Sequence, residues 1–488
     1  MTIFARHSLI LILLVALILP ACSLATPTPA STLDLPTLTR TTGSTHSLTG
    51  TASPTFTSTS TLTPTLTPSI GVDPAALRGL SLQVWHAFTG GAALVFADQV
   101  SKFNAINEWG ILVNQAGYGD YTTLFETVNA ALESSSGTPD LVAALPEQTL
   151  SWDASSSIVD LSPYLSDPLW GLGNEGIADF QPVFWAQETL DGKQLGIPAQ
   201  RSARFLYYNQ TWAHELGFNN PPATADEFRQ QACAANASFR TNPSPQDDGY
   251  GGWIVDWDWQ TTYSWLLALG GGAEVPVSAR DVVNGNTYGF LTDPNLSAMH
   301  FLKSLFEDNC AWISGDPTPF DSFARRSALF VSGDLAEVSL AGESMSRLNN
   351  ADEWTLLPFP GTTGSVLVTY GPSYILLKST PEKQLAAWLF TRWLLSPENQ
   401  AGWVEATGLF PLRNSVLDLI GSYRAASPQW DAAVGDLSLA QGVPQLASWR
   451  KVRYVLEDGT RVIFLENLPL DQIPSVLTEM DVTAKEIK

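Results

Sequence analysis

From Leu80 to Leu145, short apolar runs alternate with amphipathic helical stripes, and this alternation restricts the chain to an α/β architecture. Leu80 to Phe88 and Ile111 to Gln115 read as strands. Pro139 to Leu145 is a continuous apolar run, as expected of a strand buried on both faces of a parallel sheet. Between them, Phe96, Val100 and Phe103 share one helical face. A second helix, opening at Tyr121, carries Leu124, Val128 and Leu132 on one stripe. Parallel strands joined in this way take right-handed crossovers. Strand material returns at Gly196 to Tyr208 and at Val366 to Lys378. Helices are predicted over 225–236, 264–269, 295–309, 320–330, 381–395, 412–424 and 473–488.

A different composition precedes the folded region. Arg6 and His7 lead an apolar run from Leu9 to Leu19. The run is short for a membrane span and has the plan of a secretory signal. It ends Leu19-Pro20-Ala21-Cys22, which resembles the box of bacterial lipoproteins, where the cysteine is lipidated. Ordinary cleavage after Ala21 is the other reading. Residues 1–22 are taken as a lipoprotein signal peptide and 23–78, rich in Thr, Ser, Pro and Leu, as a disordered linker. Such a coil spans on the order of 40 Å, enough to tether a folded body near a membrane. With Cys22 assigned to lipid, Cys233 and Cys310 remain, an even pair in an oxidising compartment. They are expected to form a disulfide; two buried thiols are the alternative.

The 488 residues suffice for two or three domains, and 44% hydrophobic with 10% aromatic content supplies large cores. A net charge of −23 argues against a nucleic-acid partner, because phosphate neutralisation needs clustered Lys and Arg.

The most specific wording lies at Asp191 to Phe228, DGKQLGIPAQRSARFLYYNQTWAHELGFNNPPATADEF. Asp191-Gly192 is a tight-turn dipeptide, Gly217 closes a short helix, and Thr224 with Glu227 forms a capping box. This passage resembles family-1 extracellular solute-binding proteins of bacterial ABC importers, in the branch of sugar and glycerol-3-phosphate carriers. Three further passages agree with it in order: LQVWHAFTGG at Leu82, VSGDLAEVSLAGESM at Val331, and the stretch from Tyr370 to Val416. The resemblance implies a two-lobed periplasmic-binding-protein fold of type II, like maltose-binding protein, with a central cleft and hinge. One lobe is then expected at 79–187 plus 361–395, the other at 188–360 plus 396–488. It also implies a monomeric lipid-anchored carrier on the outer face of the cell membrane, using no cofactor. A small solute, with sugar foremost, and the importer's permease would be its partners.

Ligands of open α/β sheets sit beyond the carboxyl ends of strands and at helix N-termini. That rule points to the segments around Trp85 and His86, Gly119 to Tyr121, and Glu147. Sugars need flat aromatic faces and planar hydrogen-bonding groups, and the chain has 17 Trp. From the resemblance, cleft residues are expected to be Trp85, His86, Tyr121 and Glu147 from the first lobe. Arg201, Ser202, Trp257, Trp259 and Ser339 are expected from the second, with Tyr370 and Gly371 at the crossing. Trp85 and His86 point to opposite sides of their strand, so one of them is structural. Arg201 either binds an anionic ligand or pairs with a carboxylate. Trp257 and Trp259 form a platform if extended, or a turn packed on its own lobe.

A secreted glycoside hydrolase is the rival class, since carboxylate pairs abound among 48 acidic residues. Other catalytic patterns are poor. Gly342-Glu343-Ser344-Met345-Ser346 lacks the last glycine of a nucleophile elbow, the final histidine is His300, and no His-Glu-x-x-His zinc motif occurs. A stalked adhesive protein would share the anchor and linker but has no use for two lobes.

Overall fold

In the computed structural model, residues 68–241, 246, 249–274, 288–316, 318–465 and 467–487 are described. The expected signal peptide, Cys22 and the expected linker as far as residue 67 lie outside them.

In chain order, the strands that position the site are β1 (Ser81–His86), β2 (Leu112–Gly117), β3 (Leu141–Ala144), β4 (Ile197–Pro198), β5 (Ser202–Asn209), β6 (Trp253–Ile254), β7 (Ala311–Trp312), β8 (Phe330–Asp334), β9 (Trp354–Leu357), β10 (Leu367–Tyr370), β11 (Ser373–Leu376) and β12 (Ala440–Gln441). The helices that matter are α1 (Gly90–Ile106), α2 (Tyr121–Ser134), α3 (Pro146–Ala154), α4 (Ala225–Arg240), α5 (Trp259–Ala268), α6 (Asp293–Glu307), α7 (Val338–Arg347), α8 (Pro381–Leu394), α9 (Pro397–Thr407), α10 (Trp449–Ile463) and α11 (Ile473–Glu486).

The first sheet has the order β2-β1-β3-β11-β4. Its first three strands are parallel, and β11 and β4 run antiparallel to their neighbours β3 and β11. All four residues of β3 are buried, because helices cover both faces. Leu82, Val84, Phe96, Phe103, Trp388 and Phe390 fill one side; Val142, Ala144, Leu124, Val128 and Trp152 fill the other. The second sheet has the order β12-β10-β5-β8-β6-β7, with β9 also paired to β5. Its core holds Leu206, Tyr208, Phe228, Trp253, Trp265 and Phe330 beneath α4, α5, α6, α10 and α11. The two-residue loop Asp191-Gly192, both at positive φ, closes a small antiparallel hairpin between Thr189–Leu190 and Lys193–Gln194.

The chain returns to the second sheet a last time between β11 and β12; before that it crosses directly where β4 gives way to β5 and where β10 gives way to β11. These crossings lie side by side. The Ala199 and Gln200 amides both donate to the Pro372 carbonyl, at 3.0 and 3.3 Å. At Gly371, φ is +148°, and a Cβ there would run into the Gln200 carbonyl. Only glycine fits this approach.

Several expectations are corrected. The linker boundary at residue 78 falls too late: the Ser69 and Ile70 amides donate to the Asp167 carboxylate, and Leu77 is fully buried. The strand material expected from Gly196 to Tyr208 is divided into β4 and β5, and Ser202 to Arg204 pair with β10 and β8. The helix expected over 320–330 stops at Ala324 and yields to β8. An amphipathic helix absent from the expectation, α10, buries Trp449, Val452, Leu456 and Ile463.

Candidate ligand-binding site

Both crossings and both lobes contribute to a cavity of about 350 Å³. Tyr121 and Leu145 reach it from the first lobe, at the N-termini of α2 and α3. Gln200, Ser202, Tyr370, Gly371 and Pro372 form its back along the crossings. The second lobe adds Trp259 and Gln260 at the start of α5, Asp334 and Ala336 beyond β8, Leu409, and Arg453 with Tyr454 on α10. A larger groove, about 580 Å³, opens on the second lobe around His214, Phe218 and Glu353. It has none of the orphaned polar atoms that mark the cavity between the lobes.

Three buried polar atoms in this wall lack a hydrogen-bond partner: Gln200 Oε1, Ser202 Oγ and Arg453 Nε. Buried polar groups are almost always satisfied, so three orphans on residues that line one cavity point to a ligand that completes them. Around them stand aromatic faces. Trp259 meets Tyr370 edge-on at 5.6 Å, and the Arg453 guanidinium lies 5.6 Å from the Trp259 ring centre. Burial pushes the phenols of Tyr121 and Tyr370 above their ordinary range, and the Asp334 carboxylate that accepts from the Tyr370 hydroxyl adds to the second shift.

Beneath Asp334, the Arg204 guanidinium gathers carboxylates: Asp256 at 2.7 Å, Asp258 at 3.0 Å, Asp334 at 3.7 Å and Glu337 at 3.9 Å. Burial opposes ionisation of Asp256, but Arg204 overrides it and holds this carboxyl low. Asp258 is pushed up to about 6 by burial and by Asp256 beside it. Burial also raises Glu337. Among the described residues no group of His, Cys, Asp and Glu is placed to hold a metal ion.

The helix α10 ties the lobes together. Arg453 Nη1 donates to Glu147 Oε1 of α3 at 2.7 Å, and the Arg450 guanidinium lies 4.5 Å from the Phe125 ring centre in α2.

Of the expected cleft residues, Tyr121, Ser202, Trp259, Tyr370 and Gly371 are brought together in the cavity wall. The others are corrected. His86 is only 3% exposed; its Nε2 meets Gln115 Oε1 at 2.9 Å and its Nδ1 accepts from the Phe88 amide. Burial holds this imidazole below its usual pKa, as befits a neutral core group. Trp85 is half-buried against Tyr118 and lies outside the wall. Glu147 is buried and reaches the cavity only through Arg453. Arg201 is fully buried and turned into the hinge, where it pairs with Glu188 and donates to the carbonyls of Gln200, Gly371 and Pro372. Trp257 packs on the second-lobe core, because the chain turns into α5 at Trp259 and cannot display both indoles side by side. Ser339 is exposed on α7, beyond the residues that face the cavity. Asp334, Gln200, Arg453 and Tyr454 were missed. The i, i+3, i+7 spacing of Trp449, Val452 and Leu456 could have revealed the helix that carries the last two.

The model of one family, described as bacterial extracellular solute-binding protein, matches residues 98–435. The chain belongs to this family. This solute-binding protein is 23% identical over 310 residues to a putative binding protein of Brucella abortus, covering 62% of the present chain and 70% of the relative. Its fold matches the sugar-binding protein MalE of Xanthomonas citri with a TM-score of 0.69 at 19% identity, covering 83% of this chain and 96% of that one. It also matches UgpB of Mycobacterium tuberculosis, solved in complex with glycerophosphocholine, with a TM-score of 0.65 at 17% identity, covering 83% and 98%. The solute-binding protein thus has the two-lobed, maltose-binding-protein-like fold. Among the described residues no helix is long and apolar enough to cross a membrane.

Proposed function

We propose that this protein captures a carbohydrate between its lobes and delivers it to the permease of an ABC importer. The observation that carries this reading is the cavity itself. Aromatic faces at Tyr121, Trp259, Tyr370 and Tyr454 surround the three unpartnered polar atoms, which suits a ligand with apolar C–H faces and many hydroxyls. Its volume, about 350 Å³, stands at the small end of ligand pockets and suits one or two sugar rings. The hinge lies at the crossings, and ligand contacts from both lobes favour closure only to the extent that they are better in the closed form. Lipidation at Cys22 and a linker through the following low-complexity tract would keep the monomeric carrier near its permease. Binding without chemistry is its task.

The expectation of a glycerol-3-phosphate ligand drew on the VWHAF wording at Val84 and on Arg201, and Arg201 faces the hinge. A carbohydrate panel tested by calorimetry should give saturable binding with no product formed. Turnover of a bound sugar would make the chain an enzyme instead. Tyr121→Ala should weaken the sugar found by about tenfold or more, on the scale of 1.4 kcal/mol per decade. Trp257→Ala should leave its affinity within about twofold, a few tenths of a kcal/mol. The reverse ranking in calorimetric titrations would move the site to the Trp257 turn.

A further inference from the structure

The charges around the cavity say which solutes it can take. Three guanidiniums lie at or behind its wall, and each is already matched. Arg201 pairs with Glu188, Arg453 with Glu147, and Arg204 with Asp256, Asp258, Asp334 and Glu337. Six carboxylates thus stand against three guanidiniums. One of the six, Asp334, is itself in the wall. The partners of the guanidiniums take up most of the usual means of welcoming an anion. The Nη1 and Nη2 atoms of Arg201 face main-chain carbonyls, Glu188 and Ser373, and Nη1 of Arg453 faces Glu147. On Arg453, Nε has no partner and Nη2 has only a 3.5 Å contact to the Tyr454 hydroxyl, so one guanidinium edge is left for a ligand, against four carboxylates gathered at Arg204. The other two orphans are Gln200 Oε1, an acceptor, and Ser202 Oγ, on a residue only 9% exposed. The amide oxygen accepts from a ligand hydroxyl and repels a phosphate oxygen, while the Ser202 hydroxyl serves as donor or acceptor.

We propose that this cavity selects a compact, uncharged polyhydroxy ligand and rejects the same ligand once it carries a phosphate. The proposal rests on the reading of the cavity as a carbohydrate site. It adds that the acidic group around Arg204, adjoining Asp334, sets the charge specificity. Burying a phosphate beside these carboxylates would cost both its hydration and the repulsion, with one edge of Arg453 in return.

The test uses the full chain and a panel of glucose, galactose, maltose and trehalose, each beside its phosphate ester, with glycerol 3-phosphate and glycerophosphocholine added. Thermal shift finds the ligands and calorimetry gives their affinities. The expected result is that at least one neutral sugar binds and that its phosphate ester binds at least tenfold more weakly. Glu337→Gln, which keeps an acceptor for the Asp334 amide, should narrow the ratio between the two affinities, as should Asp334→Asn. A phosphate ester or glycerol 3-phosphate binding as tightly as the best neutral sugar overturns the charge selectivity but leaves the carbohydrate site standing. An unchanged ratio in both variants overturns the assignment to the Arg204 cluster. Absence of binding by every sugar and every ester would take down the carbohydrate reading, and this inference with it.

Discussion

Arg201→Ala should lower the stability of the folded chain by about 3–5 kcal/mol, the usual result of removing one partner of a buried ion pair. Arg201 and Glu188 are 0% and 1% exposed. The guanidinium also holds the two crossings together through the carbonyls of Gln200, Gly371 and Pro372. Without it, Glu188 stays buried with no cation. Burial already raises the Glu188 carboxyl above its ordinary value, and Arg201 pulls it back. The loss should therefore depend on pH. Above the folded-state pKa of Glu188 the variant carries an unpaired buried anion and its deficit is full. As pH falls through that value the carboxyl takes up a proton, and the deficit shrinks. Guanidinium unfolding curves at pH 7 and pH 5 measure both effects. A variant of unchanged stability that has lost ligand affinity would return Arg201 to the role of a ligand contact.

Reduction of the Cys233–Cys310 bond should have an effect of similar size. The bond joins α4 to the turn between α6 and β7, at a sequence separation of 77, with Cα atoms 4.3 Å apart. In the chain-entropy model, opening a loop of that length costs about 4.5 kcal/mol, as an upper bound. The denaturation midpoint should fall when reductant is added, and alkylation without reductant should add no label to these cysteines. An unchanged midpoint after verified reduction would show that the loop is held by packing alone. Gly252, whose missing Cβ would otherwise strike the Cys310 carbonyl, already draws β6 against this corner.

The alternation of strands and helices was legible because it depends on local patterns. The continuous apolar run of β3 and the stripe Phe96, Val100, Phe103 have one physical solution, burial between layers. Tyr121 was legible for a related reason: Asp120 caps α2 through the Thr123 amide, and the residue after such a cap faces the open end of the sheet. His86, Arg201 and Glu147 misled because a polar residue in a promising place looks alike whether it meets a ligand or a partner. Arg201 finds Ser373 from 172 positions away, and Glu147 finds Arg453 from 306. No local pattern carries that information. Ser202 and Arg204 interrupt the apolar pattern of β5 because the strand begins at a polar site.

The two contacts from α10 to the first lobe bear on timing. Arg453 to Glu147 and Arg450 to Phe125 join protein to protein; Arg453 also lines the cavity, whereas the Arg450 contact does not involve it. A solute behind them leaves only after they part. Parting the lobes has to break both contacts, so chemically different solutes should share one part of the barrier to release.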